Sequence, residues 1–255
     1  MISVITITYN NFNELISTLN SLPNADFIES IVINGGNEIE SFNYLKTYSG
    51  IVVNEKDNGI ADAFNKGIQK SSGDAIMFLN SGDILIRPEY LIEAEKILQS
   101  FHDVSFVHSN IIFNDSIAGE IFMRPQLKSF GRGLPFLHPT MIVRKSVFNK
   151  IGMFNTNFKI SMDFDFALKL HKNGFIGYYL NGPAVIKMDG RGKSAEKEFT
   201  AIIECYKSLK ENDCLNLKNK AGFLIRLTLF LARKFMLMIG WFKMLKKIKR
   251  LKHSA

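Results

Sequence analysis

Residues 55–83, EKDNGIADAFNKGIQKSSGDAIMFLNSGD, decide the fold. Asn58-Gly59 marks a turn. Ile60–Ile68 then carries apolar residues at helical spacing. Ala75–Leu79 is a short, wholly apolar run that ends in Asn80-Ser81-Gly82-Asp83. A polar loop, a helix, a buried strand and a second polar loop, in that order, make part of a repeating strand–helix unit.

The same alternation extends outward. Ile2–Thr8 is apolar and β-branched, which predicts a buried strand. Leu15, Ile16, Leu19 and Leu22 follow at helical spacing, and Pro23 stops them. Ile28–Ile33 predicts a second strand ending in Asn34-Gly35-Gly36, and Ile51–Val53 a short third. Pro88–Phe101 reads as a helix with proline near its first turn. Strand and helix in alternation predict an α/β fold with a mainly parallel sheet covered on both faces. In such sheets ligands bind beyond the carboxyl ends of the strands. The loops there, Tyr9–Asn11, Asn34–Asn37, Asn54–Gly59 and Asn80–Asp83, are all polar. From Val104 the pattern changes to short strand-like runs: Val104–His108, Ile111–Phe113, Ile121–Met123 and Thr140–Val143. A helix over Asp163–Lys172, a run at Ile176–Leu180 and a polar helix over Lys193–Asn212 follow. The expected organisation is one domain over 1–212, with a donor-binding half at 1–100 and an acceptor-binding half at 101–212. Residues 213–255 form an appended segment.

Composition narrows the class. At 255 residues with 46% hydrophobic content, the chain can bury a substantial core. Its two cysteines, Cys205 and Cys214, form no CxxC or Cys/His pattern, so a zinc site or a disulfide framework is not expected. MISVITITYN has neither a basic n-region nor a cleavage site, which predicts a cytoplasmic protein. The net charge of +8 is concentrated: eleven of the 32 basic residues lie beyond Asp213, where no acid occurs, leaving 21 against 24 acids before it, a net of −3.

Two acidic groups carry the candidate chemistry. Asn80 and Asp83 offer hard oxygen ligands for Mg²⁺ or Mn²⁺ beside a diphosphate; NSGD is equally a plain β-turn sequence. Asp163 and Asp165 open a helix where a carboxylate can deprotonate an acceptor hydroxyl; either of them, or Ser161, can instead cap that helix. Asp57 and Lys66 flank the Asn58-Gly59 turn, Lys66 within reach of a phosphate or simply solvated. His138, before Pro139, is either structural or a sugar, phosphate or metal contact. Arg191 and Lys193 lie in a basic loop able to close over a diphosphate. An activated donor at one cluster and a base at the other point to group transfer from a nucleotide-activated donor.

Six strings extend this reading: SVITITYN (3–10), VINGGN (32–37), EKDNGIADAFNKGI (55–68), FLNSGD (78–83), HPTMIVRKSVFNKIGMF (138–154) and MDFDFALKL (162–170). Together they resemble glycosyltransferase family 2, the inverting GT-A enzymes, and within it the branch of bacterial capsule, colanic acid and O-antigen assembly. The resemblance implies that Thr8 and Tyr9 line the nucleoside pocket and that Asn34 stands where the family has a base-binding Asp. It also implies that Asp83 binds the metal, with Asp163 as catalytic base and Asp165 in support. NSGD departs from the family's Asp-rich motif by keeping one carboxylate. The implied donor is a nucleotide sugar, UDP favoured, and the implied acceptor a lipid-linked oligosaccharide.

In AGFLIRLTLFLARKFMLMIGWFKMLKKIKRLK (221–252), Arg226, Arg233 and Lys234 disfavour a spanning helix. An interfacial helix on an anionic membrane, at the cytoplasmic face of a bacterial inner membrane, is the expected alternative. Helix packing on the domain or on a second copy is the competing reading. Two other functions compete. A nucleotidyltransferase wants a glycine-rich basic loop after its first strand, which TYNNF lacks. A nucleic-acid-binding tail wants fewer bulky aliphatics. A transferase fold that binds donor without turnover is also compatible with Asn34 and a lone carboxylate.

Overall fold

The computed structural model describes residues 1–126, 129–190 and 197–253. The elements in the first half are β1 (Ile2–Thr8), α1 (Phe12–Asn20), β2 (Ile28–Asn34), α2 (Ile39–Leu45), β3 (Ile51–Asn54), α3 (Ile60–Lys70), β4 (Ala75–Phe78), β5 (Ile84–Leu85) and α4 (Glu89–Ser100). The second half holds β6 (Val104–His108), β7 (Ile111–Asp115), β8 (Gly119–Met123), β9 (Ile142–Arg144), α5 (Lys145–Ile151), α6 (Met162–Lys172), β10 (Ile176–Tyr179) and β11 (Ile186–Asp189). Three helices end the chain: α7 (Glu198–Glu211), α8 (Leu217–Met238) and α9 (Phe242–His253).

Seven strands make the main sheet in the order β10-β6-β9-β4-β1-β2-β3. All run parallel except β9, which is antiparallel to β4 and β6. A second sheet, β5-β11-β7-β8, packs beside it. β5 and β11 are short and fall between the runs legible in the sequence, and so do α2 and α5.

The central strands β1, β4 and β9 are almost wholly buried because both faces of the sheet are covered there, whereas of the edge strands β3 is partly exposed and β10 exposed throughout. Successive side chains alternate between two cores. Ile5, Ile31, Ile33, Ile76 and Phe78 pack with Phe64 of α3, Phe148 of α5 and Phe166 of α6. Val4, Met77, Val107 and Ile142 pack on the other side with Leu91 of α4 and Ile186 of the second sheet. Leu15, Leu19 and Leu45 hold α1 and α2 against Val32.

Phe64 is the hinge of the first core. Its ring centroid lies 4.5 Å from Phe78 and 5.3 Å from Phe154. Phe64→Ala should cost about 3–5 kcal/mol of stability, measured by denaturant melts, because so enclosed a site cannot collapse onto the void.

Candidate active site

The carboxyl ends of β1, β2 and β3 are level, with Thr8 opposite Asn34 and Asn34 opposite Asn54. Asn34 is buried, and its amide donates to Asn54 Oδ1 at 3.0 Å while its Oδ1 accepts from Gly36 N at 3.1 Å. Thr8 Oγ1 donates to Asn11 Oδ1 at 2.6 Å. Asn10 adopts φ +52°, and its Oδ1 takes the N–H groups of Asn37 and Glu38 at 2.8 and 3.0 Å. Tyr9 stands exposed beside this grip.

Two glycines make the interlock possible. A Cβ on Gly36 would fall 2.4 Å from Asn10 Oδ1, and one on Gly35 would fall 1.7 Å from Asp57 Oδ2. Asp57 also accepts from Gly59 N at 2.9 Å. Asp57 therefore seals the loop after β2 to the loop after β3. A cleft of about 340 Å³ opens alongside, lined by Gly36, Asn37, Ile39, Phe42, Asn54 and Lys56. Lys66 is engaged within the protein: its ammonium pairs with Glu55 at 2.8 Å and donates to Lys56 O at 2.7 Å, which fixes the loop after β3.

Asn80–Asp83 is a turn, as its composition allows, closed by Asp83 N donating to Asn80 O at 2.9 Å. Gly82 has φ +103° and donates to Thr18 Oγ1 of α1 at 2.9 Å. The turn is more than a connection. Asn80 Oδ1, Ser81 Oγ and Asp83 Oδ2 are buried and have no hydrogen-bond partner among the described residues. Buried polar atoms without partners are costly and rare. Asp83 is 4% exposed, and its other oxygen accepts from Asp189 N at 3.3 Å. Burial pushes its carboxyl up to about 7, with the charge of Asp189 acting in the same direction and backbone N–H bonds opposing.

Asp189 is the residue the sequence left unassigned, as the first position of the basic loop. It ends β11, and a Cβ built on Gly82 would lie 3.9 Å from its Oδ2. Its signal was the apolar Val185-Ile186 before it, too short to predict a strand. Among the described residues no group of three His, Cys, Asp or Glu could hold a metal. The amide, hydroxyl and carboxylate oxygens of this turn, with the Asp189 carboxylate beside Gly82, are all hard oxygens, the chemistry that suits Mg²⁺ or Mn²⁺ completed by phosphate and water.

Asp163 and Asp165 part company. They sit two residues apart on α6, so they leave the helix on different faces. Asp163 accepts from Phe164 N at 2.7 Å. Asp165 is buried against α7, bonded to Ser208 Oγ at 2.8 Å and Asn212 Nδ2 at 3.0 Å, and paired with Lys169 at 2.7 Å. It ties two helices together and does not join Asp163. Ser161 is the N-cap residue of α6, with its backbone oxygen accepting from Asp165 N at 3.1 Å, but its side chain makes no capping hydrogen bond. Instead Glu204 of α7 accepts the N–H groups of Lys159, Ile160 and Ser161 at 2.9, 2.9 and 2.8 Å. His138 stacks on Phe78 at 5.8 Å; burial lowers its affinity for a proton, while the charge of Asp163 acts to raise it. Arg191 and Lys193 lie outside the described residues.

A level edge of polar strand ends, an oxygen-rich acidic turn and a second carboxylate at a helix start match a known design. Residues 3–152 match the family described as "Glycosyl transferase family 2". The chain belongs to glycosyl transferase family 2. It is 31% identical over 179 residues to an uncharacterized glycosyltransferase of Mycobacterium tuberculosis, covering 66% of this chain and 68% of that one. A PGL/p-HBAD biosynthesis glycosyltransferase of Mycobacterium bovis is 24% identical, over 68% of this chain and 70% of the relative. Two solved structures share the fold. S. aureus TarS 1–349 in complex with UDP-GlcNAc superposes with TM-score 0.62 at 19% identity, over 83% of this chain and 65% of that one. The mannosyltransferase PcManGT of Pyrobaculum calidifontis, in complex with GDP-Man and Mn²⁺, gives 0.61 at 16% identity, over 96% and 83%. The α/β GT-A architecture of this family 2 protein is thereby established.

Asp83 yields a signed prediction. Its folded-state pKa of about 7 exceeds the ordinary 3.8, so the metal-free fold favours the protonated acid. The resulting penalty is absent below pH ~4, grows as pH rises and is complete above ~7. Asp83→Asn should therefore stabilise the metal-free protein at pH 8 by up to about 4 kcal/mol, and by little at pH 4. Thermal melts in chelator across that range check it; an equal effect at both ends would contradict the buried, unpaired carboxylate.

Proposed function

We propose that this protein is an inverting glycosyltransferase that moves a hexose or N-acetylhexosamine from a nucleotide sugar to a lipid-linked or saccharide acceptor. UDP is the favoured nucleotide, and the pathway class is bacterial surface polysaccharide assembly, as in capsule, colanic acid or O-antigen. The enzyme would work at the cytoplasmic face of the inner membrane, held to anionic lipid through 213–255. Residues 1–100 would bind donor and 101–212 acceptor.

The observation that carries this reading is the set of partnerless oxygens on Asn80, Ser81 and Asp83, met by Asp189. A turn built only to reverse the chain would leave such atoms in water or bonded. Asp189 places a second carboxylate beside NSGD, whose single carboxylate is also compatible with a binder without turnover. When bound by Asp83, Asp189 and Asn80, Mn²⁺ or Mg²⁺ supplies charge neutralisation to the leaving diphosphate. The UDP-GlcNAc held by TarS and the GDP-Man held by PcManGT support a nucleotide-sugar donor.

The rest falls to the chain's own side chains. The cleft between the loops after β2 and β3 takes the nucleoside, and Thr8, Tyr9, Asn34 and Asp57, on the adjoining strand ends and loops, are assigned to the same donor. Arg191 and Lys193 are assigned to the diphosphate. Asp163 accepts the proton of the acceptor hydroxyl as that oxygen attacks the anomeric carbon. The bond from that carbon to the nucleotide's phosphate oxygen breaks on the opposite side, so the anomer inverts. His138, packed among aromatic rings next to Asp163, keeps the acceptor side dry and is available to a sugar hydroxyl.

Asp163→Asn should lower turnover by about 10³-fold or more while leaving the nucleotide-induced rise in melting temperature intact. Titration with UDP, GDP, dTDP and CMP, with and without Mn²⁺, reads that rise. One nucleotide acting only with metal supports the donor site and names the base. A variant as active as the parent would remove Asp163 from the reaction, and no shift with any nucleotide would sink the donor site.

A further inference from the structure

The C-terminal helix α8 turns its faces the unexpected way round. Its cations do not all meet water. Arg226 lies against the loop before His138, its guanidinium carbon 3.8 Å from where a Cβ on Gly133 would stand. Arg233 pairs with Glu198 of α7. Between them Phe230 is buried, with its ring 5.9 Å from Phe199. At the start of the helix Asn219 Oδ1 accepts from Gly131 N at 3.1 Å, and its amide donates to Cys214 O at 2.8 Å. Side chains on Gly131 and Gly222 would collide with Asn219 O at 1.9 Å and Ser129 Oγ at 2.6 Å. The inner face is thus closely fitted to the domain.

The outer face is largely apolar, with Thr228 and Lys234 exposed within it. Leu224, Leu231, Phe235 and Met238 recur at helical spacing and are 61, 55, 57 and 75% exposed. Trp241 and Phe242 continue the stripe at 53 and 55%. A contiguous apolar surface of this kind on a water-soluble face marks an interaction site. Lys218 and Lys220 precede the stripe, Lys243, Lys246 and Lys247 follow it, and no acid occurs after Asp213.

We propose that α8 is a two-faced strap: its outer stripe lies in the headgroup–acyl boundary of an anionic bilayer, while its inner face stays clamped on the domain. This deepens the membrane-surface reading above by naming the face and its orientation. A spanning pose would tear Asn219 from Gly131 and Arg233 from Glu198, and no helix among the described residues is long and apolar enough to cross a membrane. An anionic bilayer is the occupant that matches both an apolar stripe and uncompensated lysines at its ends; a second copy of this chain would set like charges against each other. The orientation has a consequence for the site. Phe130, in the loop that Asn219 holds, packs its ring 5.7 Å from Phe164, the neighbour of Asp163. The orientation of the strap is thereby coupled to the helix that carries the candidate base.

Trp241 is the only tryptophan, so the intact protein reports on itself. Its emission should shift to the blue, and be quenched by brominated acyl chains, with vesicles of phosphatidylcholine plus phosphatidylglycerol, and far less with phosphatidylcholine alone. Leu231→Gln/Phe235→Gln should weaken vesicle partition by about tenfold or more without lowering the melting temperature, because both side chains are exposed. Lys246→Gln/Lys247→Gln should weaken it and flatten its salt dependence. The proposal is overturned if Trp241 does not respond to anionic vesicles, or if the Leu231/Phe235 variant partitions like the parent. It is equally overturned if the stripe proves to bury itself in a dimer, seen as a doubled mass that the same variant abolishes. The UDP-induced melting shift on the same samples tests the donor site separately: its loss with vesicle binding intact would count against the transferase reading and leave the strap standing.

Discussion

Three parallel strands end on one level, the edge strand β3 beside the buried ends of β1 and β2, and the hydrogen bond from Asn34 to Asn54 ties two of those ends together. This is the constraint on which the site depends. A strand buried on both faces must hand its last polar groups to something other than water. Here they go to neighbouring loops: Gly35 N to Thr8 O, Glu55 N to Asn34 O, and Ser81 N to Ile7 O. Each loop is anchored by the strand beside its own, so none can move alone. The preorganisation that group transfer needs is built from backbone bonds before any ligand arrives.

Set against that order, the oxygens of Asn80, Ser81 and Asp83 stand out by having no partner. The same burial that leaves them unpaired raises the proton affinity of Asp83. A stable metal-free fold favours the protonated acid, whereas the proposed metal-binding role would need the ionised one. Strain of this kind concentrates at functional sites, and the second sheet supports it by bringing Asp189 to the turn.

The acceptor side is assembled differently. Asp163 owes its place to a helix whose start is gripped by Glu204, and whose buried Asp165 is bonded to Ser208 and Asn212. α7 is therefore as much a part of the site's framework as α6. Through Asn219 and Gly131, α8 joins the same framework. A segment that composition sets apart is continuous with the domain in its packing.

Hydrophobic period and turn residues determined the sheet, the order of its elements and the loops that form the site, because strand burial and helix amphipathicity are written in local spacing. Asn80–Asp83 and Asp163 were legible for the same reason: each sits next to a well-marked element. The short elements β5, β11, α2 and α5 were not, since two to seven residues carry too little periodicity. Asp189 was lost with β11, because its place beside the turn exists only in the tertiary structure. The partners of Asp165 and Lys66 were also decided by the tertiary structure. A carboxylate two residues along a helix turns to another face, and an ammonium pairs with whichever acid the fold brings nearest. In α8 the sequence shows apolar and basic residues in one helix; only packing decides that Arg226 and Arg233 face inward and leave the apolar stripe outside.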